Sequence, residues 1–402
     1  MNILFCGGGT AGHVTPNLAL IEEIYRYSHK ADYEATADKR LDCDATTACA
    51  ATPQRADETG KTANYGKQKV GLHNTFANCA VYYVGNTEQD EKLLLPYIKC
   101  GKVARYYALS APKLRRSLAL SNLCLPFKFV RAVRSATKII DEVCPDVVFS
   151  KGGYVGLPVV IAARKRGIPT LLHESDMSMG LANKLSLRYV TRALSAFVLP
   201  ETSTTVTGMI LRSDITRGDR QRGLRFCNFD GTKPLLLVVG GSLGAQALNE
   251  AVAATPKLAE KFDIFVLTGK GKHIDCPFVH QAEFCTSVKD LFAAADVCLT
   301  RGGSTTLCEL TLCKVPFVAV PLTNGSRGEQ STNVKSFVQK GCGLCLNEVD
   351  LPDKLYNALC TCYDNRAAFA AKQARQFSSL YGTEKCLQQI AEVATEHLHA
   401  TD

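Results

Sequence analysis

The sequence predicts an α/β protein with two Rossmann-like, doubly wound domains whose parallel sheets face each other across a cleft. Three observations lead there. Short apolar runs alternate with longer helical patterns along the chain, the rhythm of parallel strands covered by helices on both faces. Two of these runs end in glycine turns, "NILFCGGGTAGH" at the start and "PLLLVVGGSLGAQ" midway. At 402 residues the chain has room for two cores of ordinary size.

Taken in order, "NILFC" reads as a strand, and Gly7, Gly9 and Gly12 form a turn whose N–H groups can close on a phosphate. "PNLALIEEIYRY" follows as a helix, with Pro16 suited to its first turn. The polar, Ala/Thr/Lys/Asp-rich stretch 32–78 reads as a mobile insertion. Strands resume with "CAVYYVG", "PDVVFS" and "TLLHES", and after the second glycine turn with "DIFVLTG", "DVCLTRGG" and "VPFVAVPL". The link between the halves falls near "VTGMILRSDI". The expected division is 1–206, 207–380, and a final helix over 381–402 that returns to the first domain.

Composition excludes several classes. No apolar run is long enough to span a bilayer, and "MNILFC" is no export signal, so a cytosolic protein is expected. The eighteen cysteines then read as small core residues rather than disulfides. The CxxC at Cys342 and Cys345 lacks a second pair at zinc spacing. The net charge of +9 is uneven: Lys92 to Ile140 holds eleven Lys or Arg and no Asp or Glu. That stretch reads either as a solvated helical face or as a surface that docks on anionic lipid. Nucleic acid is not expected, because no stacking platform or reading motif accompanies the charge.

The motifs narrow the chemistry. A dehydrogenase needs an acid at the end of a second strand about twenty residues past the glycines, and here that position lies in a poor strand. "GGSLG" fits a nucleophile elbow around Ser242, but no later histidine sits in a telling motif; a phosphate role for Ser242 is preferred. "TRGGSTTLCEL" places Ser304, Thr305 and Thr306 at a helix N-terminus, with Glu309 one turn on to take ribose hydroxyls. "NGSRGEQSTN" adds Glu329, Gln330 and Asn333 for the hydroxyls of a sugar. Together these describe a nucleotide-sugar site.

"GGGTAGHVTPNLALI", "VVFSKGGYVGLPVVIAA", "HESDMSMGLANK", "VVGGSLGAQALN" and "TRGGSTTLCEL" resemble the signatures of the MurG family of bacterial peptidoglycan glycosyltransferases. The resemblance covers nearly the whole chain apart from 32–78. It implies a GT-B architecture and an inverting transfer of N-acetylglucosamine from UDP-N-acetylglucosamine to lipid I, a polyprenyl-diphosphate-linked acceptor, giving lipid II. It implies that Gly8, Gly9, Thr10, Ala11 and Gly12 face the acceptor diphosphate, and that His13, as the base, and Glu309 are the catalytic residues. Tyr154, His173, Glu174, Asp176 and Asn183 are implied as further acceptor-side residues. On the donor side it implies Arg212 on the diphosphate with Ser242 and Ser304–Thr306, the backbone of Cys285 on uracil, Glu309 on the ribose, and Glu329, Gln330 and Asn333 on the sugar. Lys113, Arg115, Arg116, Leu118, Leu125, Phe127, Lys128, Phe129 and Arg131 are implied to meet an anionic membrane surface. The enzyme is then peripheral on the cytoplasmic face, with cell-wall synthesis proteins as further partners. No cofactor is required; a divalent cation is allowed to assist, but no metal site is expected. The alternatives are a GT-B enzyme acting on diacylglycerol and a non-catalytic UDP-sugar binder. "GMILR" departs from a family turn with Pro two residues before the arginine, and Glu329 stands where Gln or Asp is usual.

Overall fold

The computed structural model describes residues 1–9, 11–29, 72–86, 88–112, 125–200, 202–241, 244–322 and 328–401. Seven parallel strands make the first sheet: β1 (Asn2–Cys6), β2 (Ala80–Gly85), β3 (Arg105–Ala108), β4 (Val147–Ser150), β5 (Thr170–Glu174), β6 (Arg192–Ser195) and β7 (Thr205–Val206), ordered β3-β2-β1-β4-β5-β6-β7. Six parallel strands make the second: β8 (Leu235–Val239), β9 (Asp263–Leu267), β10 (Val279–Ala282), β11 (Val297–Thr300), β12 (Phe317–Ala319) and β13 (Gly343–Cys345), ordered β10-β9-β8-β11-β12-β13. Both orders reverse direction once, between β1 and β4 and between β8 and β11, and those switch points open crevices at the strands' C-terminal ends.

The near-continuous apolar strands follow from burial on both faces. Ile3 and Phe5 pack with the helices Ala11–Ser28 and Thr383–Thr401, while Leu4 and Cys6 point the other way, toward Leu125–Val143 and Gly153–Lys165. β8 repeats the scheme, with Leu235, Leu237 and Val239 in one core layer and Leu236 and Val238 in the other. The last helix belongs to the first domain's core: Leu387, Ile390 and Ala394 pack there, and Arg192 pairs with Glu392 at 2.7 Å. The chain therefore crosses between domains twice. The crossings run side by side, with Met209 N–H donating to Leu380 O and Gly382 N–H to Met209 O.

Several expectations need correction. The first helix begins at Ala11, so Pro16 lies inside it rather than in its first turn. The insertion is narrower than 32–78: residues 72–76 are helical, with Leu72 and Phe76 buried in the first core, while 32–71 lie outside the described residues. The basic stretch also contains a strand, β3, an edge whose side chains are half-buried or exposed. β6, β7, β10 and β13 carry no strong alternation and do not stand out in the sequence.

Candidate active site

The two switch points face one cleft of about 470 Å³. Gly12, His13, Lys151, Glu174 and Asp176 line it from the first domain. Arg212, Cys285, Ser304, Thr305, Thr306 and Glu309 line it from the second, with Glu329 and Gln330. A more open depression of about 570 Å³ around Arg225, Asn228 and Asp263 gathers none of the expected residues.

The first glycine turn is organised by a carboxylate that the sequence does not flag. Asp90, in the first turn of the Glu88–Lys99 helix, accepts from Gly9 N–H at 3.0 Å and from Asn86 N–H at 2.8 Å. Gly9 has φ +86°, and a Cβ there would come within 2.5 Å of the Tyr154 ring, so only glycine fits. Gly8 and Gly9 are not among the residues that line the cleft, and Gly9 N–H is engaged by Asp90. Tyr154 packs on the turn and contacts Asn86 through its hydroxyl instead of lining the cavity. Gly12 and His13, in the first helical turn, do reach the cleft. A methyl group at Gly153 would sit 3.6 Å from His13 Cε1, so the imidazole lies against the start of the Gly153–Lys165 helix. Thr10 lies outside the described residues, as does the side chain of Ala11.

Glu174, at the end of β5, holds the next loop. Its Oε1 accepts from Ser175 and Asp176 N–H at 2.8 and 3.1 Å; its Oε2 accepts from Gly180 N–H and Asn183 Nδ2 at 2.9 and 2.8 Å. Asn183 is buried with its Oδ1 beside Gly152, and it does not line the cleft. His173 is likewise corrected as a direct ligand. It is fully buried, with Nε2 3.1 Å from Gly208 O and Nδ1 2.7 Å from Lys151 Nζ. A carbonyl only accepts, so Nε2 carries the hydrogen and Nδ1 accepts from the ammonium. Burial, then the Lys151 charge, pushes the His173 imidazole well below its ordinary value and keeps it neutral.

On the facing wall, Ser304, Thr305 and Thr306 begin the Ser304–Leu312 helix, whose first N–H groups have no intrahelical acceptors. Glu309 sits one turn deeper. Burial pushes its carboxyl up to about 7, and Arg212 pulls the other way. Arg212 itself donates to Thr286 O at 3.5 Å, beside Cys285. Gln330 Oε1 accepts from Gly302 and Leu322 N–H at 3.2 and 2.9 Å, which fixes the amide with its Nε2 end left for a ligand.

Asn333 is the clearest correction. It is fully buried; its Nδ2 donates to Asp176 Oδ1 at 3.1 Å and Gly302 O at 3.2 Å, and its Oδ1 accepts from Met177 N–H at 3.2 Å. It ties the domains together, and with both amide hydrogens engaged only the second lone pair of Oδ1 is left. Asp176 is shared across the same seam. Burial and Glu174 raise its carboxyl, while Ser304 and Asn333 hydrogen-bond it and oppose the rise.

Ser242 and Lys113, Arg115, Arg116 and Leu118 lie outside the described residues. The Leu125–Val143 helix buries Ala132, Val133, Ala136 and Ile140 and turns Phe127 (79% exposed), Lys128, Val130, Arg131 and Arg134 outward. Leu125 and Phe129 are half-buried. Among the described residues no helix is long and apolar enough to cross a membrane. Cys342 is buried and Cys345 exposed, both free. Lys151 is one of the cleft residues that motif reading missed, with Thr15, Ser175 and Glu283. Its place directly after β4, at the switch point, was the available signal.

Two facing doubly wound domains, with a nucleotide-type pocket on the second and a histidine on the first, define a glycosyltransferase of the GT-B class. Models of the glycosyltransferase family 28 N-terminal and C-terminal domains match residues 97–195 and 235–390. The chain is 35% identical to the UDP-N-acetylglucosamine–N-acetylmuramyl-(pentapeptide) pyrophosphoryl-undecaprenol N-acetylglucosamine transferase of Lachnospira eligens, over 90% of this chain and 91% of that protein. It is 33% identical to the protein of the same name from Oceanobacillus iheyensis, over 97% of both. The crystal structure of MurG from Acinetobacter baumannii shares the fold, with a TM-score of 0.65 at 21% identity over 97% of this chain and 99% of that one. CalG4, the calicheamicin glycosyltransferase, shares it at a TM-score of 0.60 and 14% identity, over 98% of each chain. The chain belongs to the MurG family of glycosyltransferases.

Proposed function

We propose that this chain transfers N-acetylglucosamine from UDP-N-acetylglucosamine to lipid I, forming lipid II, with inversion at the anomeric carbon. The observation that carries the reading is the convergence of His13, Arg212, Ser304–Thr306 and Glu309 on one cleft. The second domain holds the donor. Glu309 takes the ribose hydroxyls, the backbone at Cys285 takes uracil, and Gln330 with Glu329 reads the sugar. Arg212 and the N-terminus of the Ser304–Leu312 helix stabilise the charge that builds on departing UDP. His13 removes the proton from the acceptor hydroxyl as it attacks opposite the leaving group. The UDP-sugar is a substrate, and no further cofactor enters these steps.

The acceptor's polyprenyl tail stays in a bilayer, so the enzyme must come to the membrane. The outward face of Leu125–Val143, with Phe127 and Val130 among Lys128, Arg131 and Arg134, suits an anionic interface on which the protein docks without spanning. The test is a transfer assay with radiolabelled UDP-N-acetylglucosamine and two acceptors, a short-chain lipid I analogue and diacylglycerol. Label on the lipid I analogue alone is expected. Label on diacylglycerol overturns the acceptor assignment, and label on neither overturns the catalytic reading.

A further inference from the structure

We propose that Lys151 is a phosphate-binding residue of the acceptor wall, its ammonium taking an oxygen of the acceptor's diphosphate while His173 and Ser175 hold it in position. The proposal rests on the reading above that the acceptor is a diphosphate-linked lipid.

Lys151 is only 2% exposed, yet it lines the cleft. An ammonium has three hydrogens to donate. Two directions are fixed, to His173 Nδ1 at 2.7 Å and to Ser175 Oγ at 2.5 Å. The His173 contact is itself locked by Gly208 O on the far side of the ring, so the ammonium is oriented before any ligand arrives. Among the described residues Nζ has these two partners, which leaves a third hydrogen on a side chain that lines the cavity. A buried amine held this way carries a desolvation cost that Glu174 and Asp176 offset only in part, and an anion in the cleft offsets more of it.

The position selects the acceptor over the donor. Lys151 follows β4 and its N–H donates to Cys6 O, next to the glycine turn; a Cβ on Gly7 would lie 3.2 Å from Lys151 Cβ. The cleft's charged lining is otherwise mostly acidic: Glu174, Asp176, Glu283, Glu309 and Glu329 against Arg212, which belongs to the donor wall. Among the described residues lining it, Lys151 is the cation that the first domain supplies. With Gly9 N–H engaged by Asp90, the turn offers a diphosphate fewer donors, and Lys151 adds one beside the start of the first helix.

The same geometry makes the contact titratable. Burial lowers the Lys151 amine to about 8, with Glu174, Cys386 and Asp176 opposing the fall. The groups facing it are His173, held neutral; Cys386, its thiol pushed up to about 12 by burial; and the Glu174 and Asp176 carboxyls on the loop after β5. Lys151 is charged below about 8 and neutral above, so it should release an anion as pH rises.

The experiment measures acceptor kcat/KM against pH for the full chain with two acceptors. One is the short-chain lipid I analogue; the other carries an uncharged linker in place of the diphosphate. For the charged acceptor kcat/KM should fall about tenfold as pH rises through about 8, the loss of one charge-assisted hydrogen bond. The uncharged acceptor should lack that limb, while any limb from His13 appears with both. Lys151→Gln should lower kcat/KM for the charged acceptor by about tenfold, leave UDP affinity unchanged and remove the limb. The same alkaline limb with both acceptors overturns the proposal, and that comparison needs no variant to fold. An unchanged acceptor KM in a folded Lys151→Gln protein overturns it too. No transfer to the charged acceptor at any pH overturns the reaction itself, and the proposal with it.

Discussion

The two walls of the cleft use similar residue types in opposite ways. On the second domain, the N-terminal N–H groups of the Ser304–Leu312 helix, Glu309 and the Nε2 end of Gln330 face the cavity with groups left for a ligand. On the first, Asp90, Glu174, His173 and Asn183 are engaged by backbone or by one another. Glu174 and Asp176 also line the cleft from that wall, with His13 and Lys151. A binding wall keeps polar atoms open, while a reacting wall must hold one or two groups still, and each needs fixed neighbours to do so. The difference teaches that a polar residue in a family motif can serve the site entirely through its neighbours.

Four perturbations can break this contrast. Glu174→Gln should do the most damage to stability, because an amide presents N–H groups where N–H donors already point. A loss of about 3 kcal/mol is expected in urea unfolding, and an unchanged midpoint would show that the loop does not depend on the carboxylate. Glu309→Gln should weaken UDP binding by about tenfold to a hundredfold, read by calorimetry, since it removes a charged acceptor for ribose hydroxyls. The wild-type sign is also set. The Glu309 carboxyl is raised to about 7, so UDP affinity should decline as pH falls through that value and be flat in the variant. An equal pH slope in both proteins would move the ribose elsewhere.

Asn333→Ala should cost about 1 kcal/mol of domain closure, because it removes the bonds to Asp176 and Met177. Interdomain distance distributions without UDP should broaden toward open states; identical distributions would mean the seam is held elsewhere. The smallest effect belongs to the outer helix. Replacing Lys128 and Arg131 with Ser should weaken binding to anionic vesicles by about 1 kcal/mol per charge at low salt. Intact binding would leave that helix as a solvated basic face.

The sheets were legible because the short continuous apolar runs of β1 and β8, and the glycine turns after them, are local signals. The switch-point residues Gly12 and His13 followed from the turn after β1, and Ser304 and Glu309 from the Gly-Gly-Ser turn after β11. The donor pocket was legible for the same reason, since the Ser304–Leu312 helix carries its phosphate end and its carboxylate in one short segment. Long-range partnerships were not. Asn333 and Asp176 lie 157 positions apart, and nothing near either residue announces the other. His173 looked like a ligand because its motif matches, whereas its burial depends on Gly208 and Lys151 from other loops. Asp90 sits in an ordinary acidic first turn, and only the packing of β2 beside β1 brings it to Gly9.

The most direct test compares His13→Ala with Glu309→Gln in two readouts, UDP affinity by calorimetry and turnover of the lipid I analogue at saturating donor. The account predicts a crossed pattern. His13→Ala should lose about a hundredfold to ten-thousandfold in kcat with UDP affinity intact, and Glu309→Gln should lose UDP affinity while keeping most of its kcat. If each variant loses both properties together, the division of labour between the two walls is wrong.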